Sequence, residues 1–182
     1  NCELLLGAQA TAEEIKSKMR TDLAGKVGKD DLVLIYFSGH GWQDKRTGTR
    51  FLMAHESKPE NLAATAIEMS TIQAVFKEVR SARLVMFVDA CHSGEMLEGL
   101  EFGTKGFDEE GHFADIGTSI AGRGILTASK GSEFSREDPA IGHGVFTHYL
   151  LQGMKGAADF NRDKLVSLSE VASAAGVNVD TA

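Results

Sequence analysis

A cysteine and a histidine follow two apolar runs of the sequence, and together they could perform nucleophilic chemistry. Cys91 comes shortly after the run 84–88, and His40 lies between two glycines after the run 31–37. A thiolate is the reactive form of cysteine, and a neighbouring imidazole can take up the thiol proton. If the two runs form neighbouring parallel strands, both residues lie at the same edge of one sheet. The pattern therefore predicts a cysteine nucleophile served by a histidine.

The elements around these residues alternate between strands and helices. Uninterrupted apolar runs at 31–37, 84–88 and 124–129 are typical of strands buried on both faces, as in a parallel sheet. Further strands are predicted at 2–6 and 51–54, and helices at 11–28, from 70, from 145 and from 167. This order predicts an α/β fold, with a mostly parallel central sheet and helices on both faces.

Composition fits a single globular domain, residues 1–182, with 42% hydrophobic and 25% charged residues. A net charge of −7 without a basic stripe argues against a nucleic-acid partner. No apolar run approaches the roughly 20 residues of a membrane helix, so no membrane partner is expected. The 2 cysteines exclude a disulfide framework, and a cytoplasmic location is expected.

The segment from about 95 to 122 has no sustained periodicity and contains several glycines and acids. A loop of that length inside a compact domain is usually functional or mobile. We therefore expect a flexible linker at about 95–122, between the strand at 84–88 and the strand at 124–129.

Two signatures closely resemble those of caspase-like cysteine peptidases, in the metacaspase and bacterial orthocaspase branch. They read Tyr36-Phe-Ser-Gly-His-Gly41 and Asp89-Ala-Cys-His-Ser-Gly94, and the stretches 124–129 and 142–150 are similar to the small-subunit part of that domain. The resemblance implies a caspase-like three-layer sandwich and a cysteine endopeptidase acting on proteins or peptides. It also implies that the first strand and helix of the domain are lacking, either because this is a fragment or because that piece is a separate chain, a separate N-terminal segment that would complete the fold.

The resemblance also implies roles for individual residues. Cys91 would attack the scissile carbonyl to give an acyl-enzyme, and His40 would be the general acid or base. Backbone N–H groups of Gly41 and Cys91 would form the oxyanion hole. Ser38 and Asp89 match positions that build a substrate pocket for a basic residue. Because a carboxylate pairs with Arg or Lys, cleavage after these residues is expected.

Family members often cut themselves in the linker. Self-cleavage in the linker would make Lys105 the first candidate site and Arg123 the second, while Arg136 is a weaker candidate. An ordinary solvated lysine is the alternative for Lys105. Cys91 and Asp89 have alternatives as well, since a free cysteine is often a small core residue and an aspartate can cap a strand end.

No metal is assigned to the site, and no cofactor is expected to be required. His92 lies beside Cys91, but neighbouring residues of a strand point to opposite faces, and no spacing fits a zinc site. The segment 159–170 follows the ligand spacing of an EF-hand calcium loop, although Lys164 stands where the turn favours glycine. Two interpretations of this segment stay open: a capped turn, or a calcium-binding loop.

Three other functions stay open. The chain could be a catalytically silent caspase-like module used for assembly. It could be a caspase-fold peptidase with another pocket preference, such as aspartate. A metal-dependent hydrolase is the third alternative, which chelation without loss of activity would exclude.

Overall fold

The computed structural model describes residues 1–91, 113–115, 123–128, 137–138 and 141–181. The strands are β1 (Leu32–Gln43), β2 (Arg50–Met53), β3 (Ile67–Glu68), β4 (Arg83–Cys91), β5 (Phe113–Asp115), β6 (Arg123–Thr127), β7 (Glu137–Asp138) and β8 (His143–Gly144). The α-helices are α1 (Ala12–Lys18), α2 (Leu62–Thr65), α3 (Met69–Glu78), α4 (Val145–Gln152) and α5 (Leu168–Thr181). Turns of π-helix follow α1 at Met19–Ala24 and α4 at Gly153–Ala157, and 3-10 turns lie at Gly7–Gln9 and Pro59–Asn61.

Six strands form one mixed sheet in the order β3-β2-β1-β4-β6-β5. The central strands β1, β4 and β6 are parallel to one another. The shorter strands β2, β3 and β5 run antiparallel to their neighbours, and β7 pairs with β8 in a separate hairpin-like ladder. The centre of the sheet is therefore parallel, as the apolar runs predict, and its margins are antiparallel.

Alternate residues of β4 face two different hydrophobic cores. Leu84, Met86 and Val88 pack into a core shared with α1 and α3. Val85 and Phe87 pack on the opposite face against α4 and α5. Because successive side chains of a strand point to opposite faces, a strand apolar throughout can serve both cores. Helices thus cover both faces of the sheet, and the predicted three-layer α/β sandwich is confirmed.

Both strands that carry the signatures are longer than the sequence predicts. β1 continues to Gln43 and β4 to Cys91, so the first signature and residues 89–91 of the second lie inside strands rather than in loops. Residues 92–94 lie outside the described residues. β1 continues because β4 pairs with it as far as His40, and β2 pairs antiparallel with its last residues, from His40 to Gln43. The first part of the polar stretch 39–50 is therefore strand. Its remainder is a tight turn in which Gly48 N–H donates to the carbonyl of Asp44.

The predicted strand at 2–6 does not form. Leu4 and Leu6 are exposed, although Leu6 has the extended backbone angles φ −128° and ψ 145°. A strand requires a neighbour to take up its backbone hydrogen bonds. No strand of the described sheet pairs with this segment. Leu6 is therefore extended, but the segment 2–6 joins no described ladder.

Helices α1 and α5 begin with side-chain caps, and α3 does not. The Thr11 side chain accepts a hydrogen bond from the N–H of Glu14, and Ser167 and Glu170 form a reciprocal capping box at α5. Helix α3, predicted from residue 70, begins at Met69, so Ser70 lies inside the helix and does not cap it. The preceding strand β3 runs directly into the helix and leaves no room for a cap at residue 70.

Most of the linker predicted at about 95–122 lies outside the described residues, apart from β5. Within the described ranges, no helix combines the length and the apolar character that crossing a bilayer requires.

Candidate active site

The register of the two central strands places His40 beside Cys91. β1 and β4 pair in parallel from Leu32 and Arg83 to His40 and Cys91. Neighbouring strands of a sheet lie about 4.8 Å apart, so the backbones of the two predicted catalytic residues are immediate neighbours. They lie at the carboxyl edge of the parallel strands, where open α/β sheets form their sites.

His40 belongs to the solvent-accessible face of β1. Val33, Ile35 and Phe37 pack toward the core shared with α1 and α3. Strand alternation therefore places the side chain of His40 on the opposite face, and the residue is exposed. Its backbone is held on both sides, because His40 also pairs with Met53 of β2. The imidazole is thus accessible while the backbone that carries it is fixed.

The glycines on either side of His40 have different surroundings. Gly41 is buried and pairs with Leu52 of β2. Gly39 is exposed, yet a Cβ added there would lie 3.0 Å from the ring of Phe37. A side chain at residue 39 would therefore press on the ring before the histidine. The oxyanion role of the Gly41 and Cys91 N–H groups stays a prediction.

Asp89 is buried near the end of β4, with 6% of its surface exposed. Its Oδ2 accepts a hydrogen bond of 2.5 Å from Oγ1 of Thr147, in α4. Thr147 Oγ1 is in turn 2.7 Å from the phenolic oxygen of Tyr36, in β1. A buried carboxylate needs hydrogen-bond donors to offset its desolvation. Here one donor comes from the helix that covers this face of the sheet.

Ser38 is the register partner of Asp89. Partners in a parallel ladder face the same side of the sheet, as Val33 and Leu84 do in sharing one core. The two predicted substrate-binding residues are therefore neighbours on one face. Ser38 is exposed and Asp89 is buried, so the pair extends from the surface toward the interior.

Gly144 lies directly before α4, against the carboxylate of Asp89. A Cβ added at Gly144 would lie 2.5 Å from Oδ2 of Asp89, closer than any real Cβ contact. The residue must therefore be glycine if the carboxylate is to keep its place. Sequence reasoning missed Gly144, Thr147 and Tyr36. The available signal was that Thr147 and Tyr36 are hydroxyl residues within largely apolar segments.

Arg123 lies away from the site. It pairs with Leu84 at the start of β4, whereas Cys91 ends that strand. Its guanidinium donates hydrogen bonds to the backbone carbonyls of Phe76 and Val79. Burial lowers the pKa of Arg123 from its ordinary value. The other residues considered for self-cleavage or metal binding, Lys105, Arg136 and His92, lie outside the described residues.

In the described part of the chain, no group of three or more His, Cys, Asp or Glu side chains is arranged to hold a metal ion. The EF-hand-like segment folds as a series of turns. Asp159 accepts hydrogen bonds from the N–H groups of Asp163 and Lys164, each at 3.1 Å. Glu170 accepts the N–H of Ser167 at 2.9 Å. These hydrogen bonds are typical of a capped turn. Calcium binding by this segment stays a prediction.

Comparison with known protein families shows the family to which the chain belongs. The family model of the caspase domain matches residues 2–174, a range that includes both signatures and every described strand. No curated protein matches the sequence. The α/β sandwich and the meeting of the two signatures at one sheet edge agree with that match. The chain therefore belongs to the caspase-domain family, whose members are cysteine peptidases that act on protein substrates.

Proposed function

We propose that this chain is a cysteine endopeptidase of the metacaspase and orthocaspase type that cleaves after Arg or Lys. The observation that carries the proposal is the register pairing of His40 with Cys91 at the carboxyl edge of the sheet, within a caspase domain. In this reading His40 and Cys91 form the catalytic dyad. Asp89 and Ser38 bind the basic side chain that precedes the scissile bond.

The reaction follows from the chemistry of a thiol beside an imidazole. Cys91 loses its proton to His40 and attacks the scissile carbonyl, which forms a C–S bond. The negative oxygen of the tetrahedral intermediate is held by the N–H groups of Gly41 and Cys91. His40 then donates its proton to the leaving amine as the C–N bond breaks. Water hydrolyses the thioester, with His40 again as the base, and releases the free thiol.

The basic preference is supported by the position of Asp89. Its carboxylate is buried beneath the face that carries Ser38 and His40. Attraction between opposite charges is stronger where water is excluded, so an ionised acid there favours a cationic side chain. Arg can bind a carboxylate through two parallel hydrogen bonds, whereas Lys acts as a point charge.

The test is hydrolysis of matched peptide amides ending in Arg, Lys, Asp and Ala. The wild-type chain should cleave the Arg and Lys peptides, and Cys91→Ala should abolish turnover. Cys2→Ala is the matched control, because Cys2 is an exposed free cysteine far along the sequence from both signatures. It should behave as wild type. Turnover of the Asp peptide would contradict the Arg/Lys preference, and turnover by Cys91→Ala would contradict the dyad.

A catalytically silent assembly module is the alternative. It predicts no turnover of any of these peptides and no preferential alkylation of Cys91 by a mild thiol reagent. Peptide mapping after brief alkylation distinguishes the peptidase from the silent module, because an activated thiolate at Cys91 would react faster than an ordinary thiol such as that of Cys2.

We further infer that a separate N-terminal segment adds a strand to β1. Residues 32–39 of β1 pair with β4 on one side, and no described strand pairs with their other side. Leu32, Leu34 and Tyr36 lie along this strand with 61%, 48% and 50% of their surfaces exposed. A free strand edge beside exposed apolar side chains favours strand addition. Adding such a segment should raise both activity and stability.

We propose Lys105 rather than Arg123 as the site of self-cleavage. A scissile bond must enter the active site as an extended, accessible strand. Arg123 begins β6, which pairs with both β4 and β5. Cleavage there would require β6 to leave the sheet. Mass spectrometry of the incubated protein, with Lys105→Ala as the variant, tests this assignment.

A further inference from the structure

We propose that Thr147 and Tyr36 position the Asp89 carboxylate, and so determine how well the site distinguishes Arg from Lys. This inference rests on the proposed function, because it concerns the acid that binds the basic side chain. The three residues come from α4, β1 and β4. Their side chains meet on one face of the sheet through hydrogen bonds of 2.5 and 2.7 Å.

The direction of these hydrogen bonds follows from the chemistry of the groups. An ionised carboxylate only accepts, so Thr147 must donate its single hydroxyl proton to Oδ2 of Asp89. The Thr147 oxygen is then free to accept, and Tyr36 donates to it. Both O–H groups therefore point toward the carboxylate. Successive hydrogen bonds of this kind polarise one another, which strengthens the contact with the acid.

Gly144 makes room for the same carboxylate. The space where a Cβ of residue 144 would stand is filled by Oδ2 of Asp89, at 2.5 Å. The hydrogen bond from Thr147 therefore orients this oxygen, and Gly144 leaves space for it in that orientation.

The two hydrogen-bonded hydroxyl groups lie on the face of the sheet that carries His40. Tyr36, Ser38 and His40 alternate along β1, so they share the face opposite to the core formed with α1 and α3. Half of Tyr36 is exposed, whereas Asp89 is buried. The hydrogen bonds from Tyr36 through Thr147 therefore lead from the accessible surface of the site to the buried carboxylate of Asp89.

Orientation of the Asp89 carboxylate matters more for an Arg substrate than for a Lys substrate. Arg presents a planar fork whose paired hydrogen bonds require a matching carboxylate plane, whereas Lys has no such requirement. Removing the Thr147 hydroxyl should therefore raise KM for an Arg peptide by about tenfold, as expected for a lost hydrogen bond to a charged group. The change for a Lys peptide should be smaller, and kcat should change little, because the bond acts on binding.

The experiment measures kcat and KM for matched Arg and Lys peptide amides. Thr147→Val removes the hydroxyl at nearly constant volume, and Thr147→Ser restores it. Tyr36→Phe removes only the partly exposed outer donor, so it can be measured even if Thr147→Val does not fold. Thr21→Val is the control, because the Thr21 hydroxyl also makes a hydrogen bond, to the carbonyl of Ser17, in a helix remote from the site.

The proposal predicts a reduced Arg-to-Lys ratio of kcat/KM in Thr147→Val and a smaller reduction in Tyr36→Phe. Thr147→Ser and Thr21→Val should keep the wild-type ratio. An unchanged ratio in both Thr147→Val and Tyr36→Phe would overturn the positioning role, while wild-type cleavage after Arg and Lys would leave the proposed function intact. Absence of wild-type cleavage after basic residues would overturn both proposals.

Discussion

The guanidinium of Arg123, at the start of β6, donates a hydrogen bond to the backbone carbonyl of Phe76 near the end of α3. It also reaches the carbonyl of Val79 at 3.4 Å. The last carbonyls of a helix have no partner within the helix, so a basic side chain can satisfy them. This contact joins the central sheet to the helix that connects β3 to β4.

Arg123→Met should destabilise the protein by about 1–2 kcal/mol, because it removes the donors and keeps an apolar stem. Urea unfolding followed by circular dichroism measures the change. Arg80→Met is the control, since Arg80 is an exposed residue just beyond the same helix. Equal stability of the two variants would contradict the structural role of Arg123.

His40→Asn should lower kcat/KM for basic peptides by about 10²–10⁴-fold, the usual contribution of a positioned general acid or base. His55→Asn should retain wild-type turnover, because His55 is exposed in the connection after β2 and outside both signatures. The measurement is steady-state hydrolysis of the Arg peptide. Comparable losses in both variants would show that histidine substitution acts through stability instead.

Glu170 should make stability depend on pH in the acid range. Hydrogen bonds from the backbone N–H and hydroxyl of Ser167 hold the pKa of Glu170 below its ordinary value of 4.5. A depressed folded-state pKa contributes stability above the ordinary value, and this contribution is lost as the pH falls through the folded-state pKa. Thermal unfolding should therefore show Glu170→Gln to be less stable than wild type at pH 7.

The difference between wild type and Glu170→Gln should become smaller as the pH is lowered below 4.5. Glu60→Gln, at an exposed position in the 3-10 turn before α2, provides the comparison. A constant difference across this range would indicate that the substitution acts through packing rather than through the charge of Glu170.

Lys164 adopts a left-handed backbone conformation, with φ 68°. This conformation costs a residue with a Cβ about 1 kcal/mol relative to glycine. Lys164→Gly should therefore stabilise the protein by roughly 0.5–1 kcal/mol in chemical denaturation. Lys155→Gly should have the opposite effect, because Lys155 lies in a helical turn. A loss of stability in Lys164→Gly would contradict the argument.

The centre of the fold could be predicted because its strands are apolar throughout. Leu84 to Val88 must be buried on both faces, and that requirement alone indicates a parallel sheet covered by helices. The extension of β1 through Ser38 and His40 could not be predicted. Glycines and polar residues disfavour strands locally, and that preference is overridden by pairing with β4 as far as His40 and with β2 from His40 to Gln43.

The candidate site, like the fold, could be predicted from the sequence only in part. His40, Cys91 and Asp89 could be singled out because their residue types carry chemistry and stand next to predicted strands. The contact between Asp89 and Thr147 could not, because it depends on how α4 packs against the sheet. Periodicity shows that α4 is a helix with an apolar side, but it does not fix which turn of the helix meets which strand residue.

The parallel pairing of β1 with β4 also bears on when the chain can act during folding. His40 and Cys91 are far apart in the sequence, and they become neighbours only through a ladder that must close over β2, β3 and α3. Non-local parallel pairing forms slowly, because the entropy of closing the intervening loop is lost before the contacts are gained. A growing or partly folded chain therefore has both reactive groups but no dyad, and the proposed peptidase would be inert until its central sheet is complete.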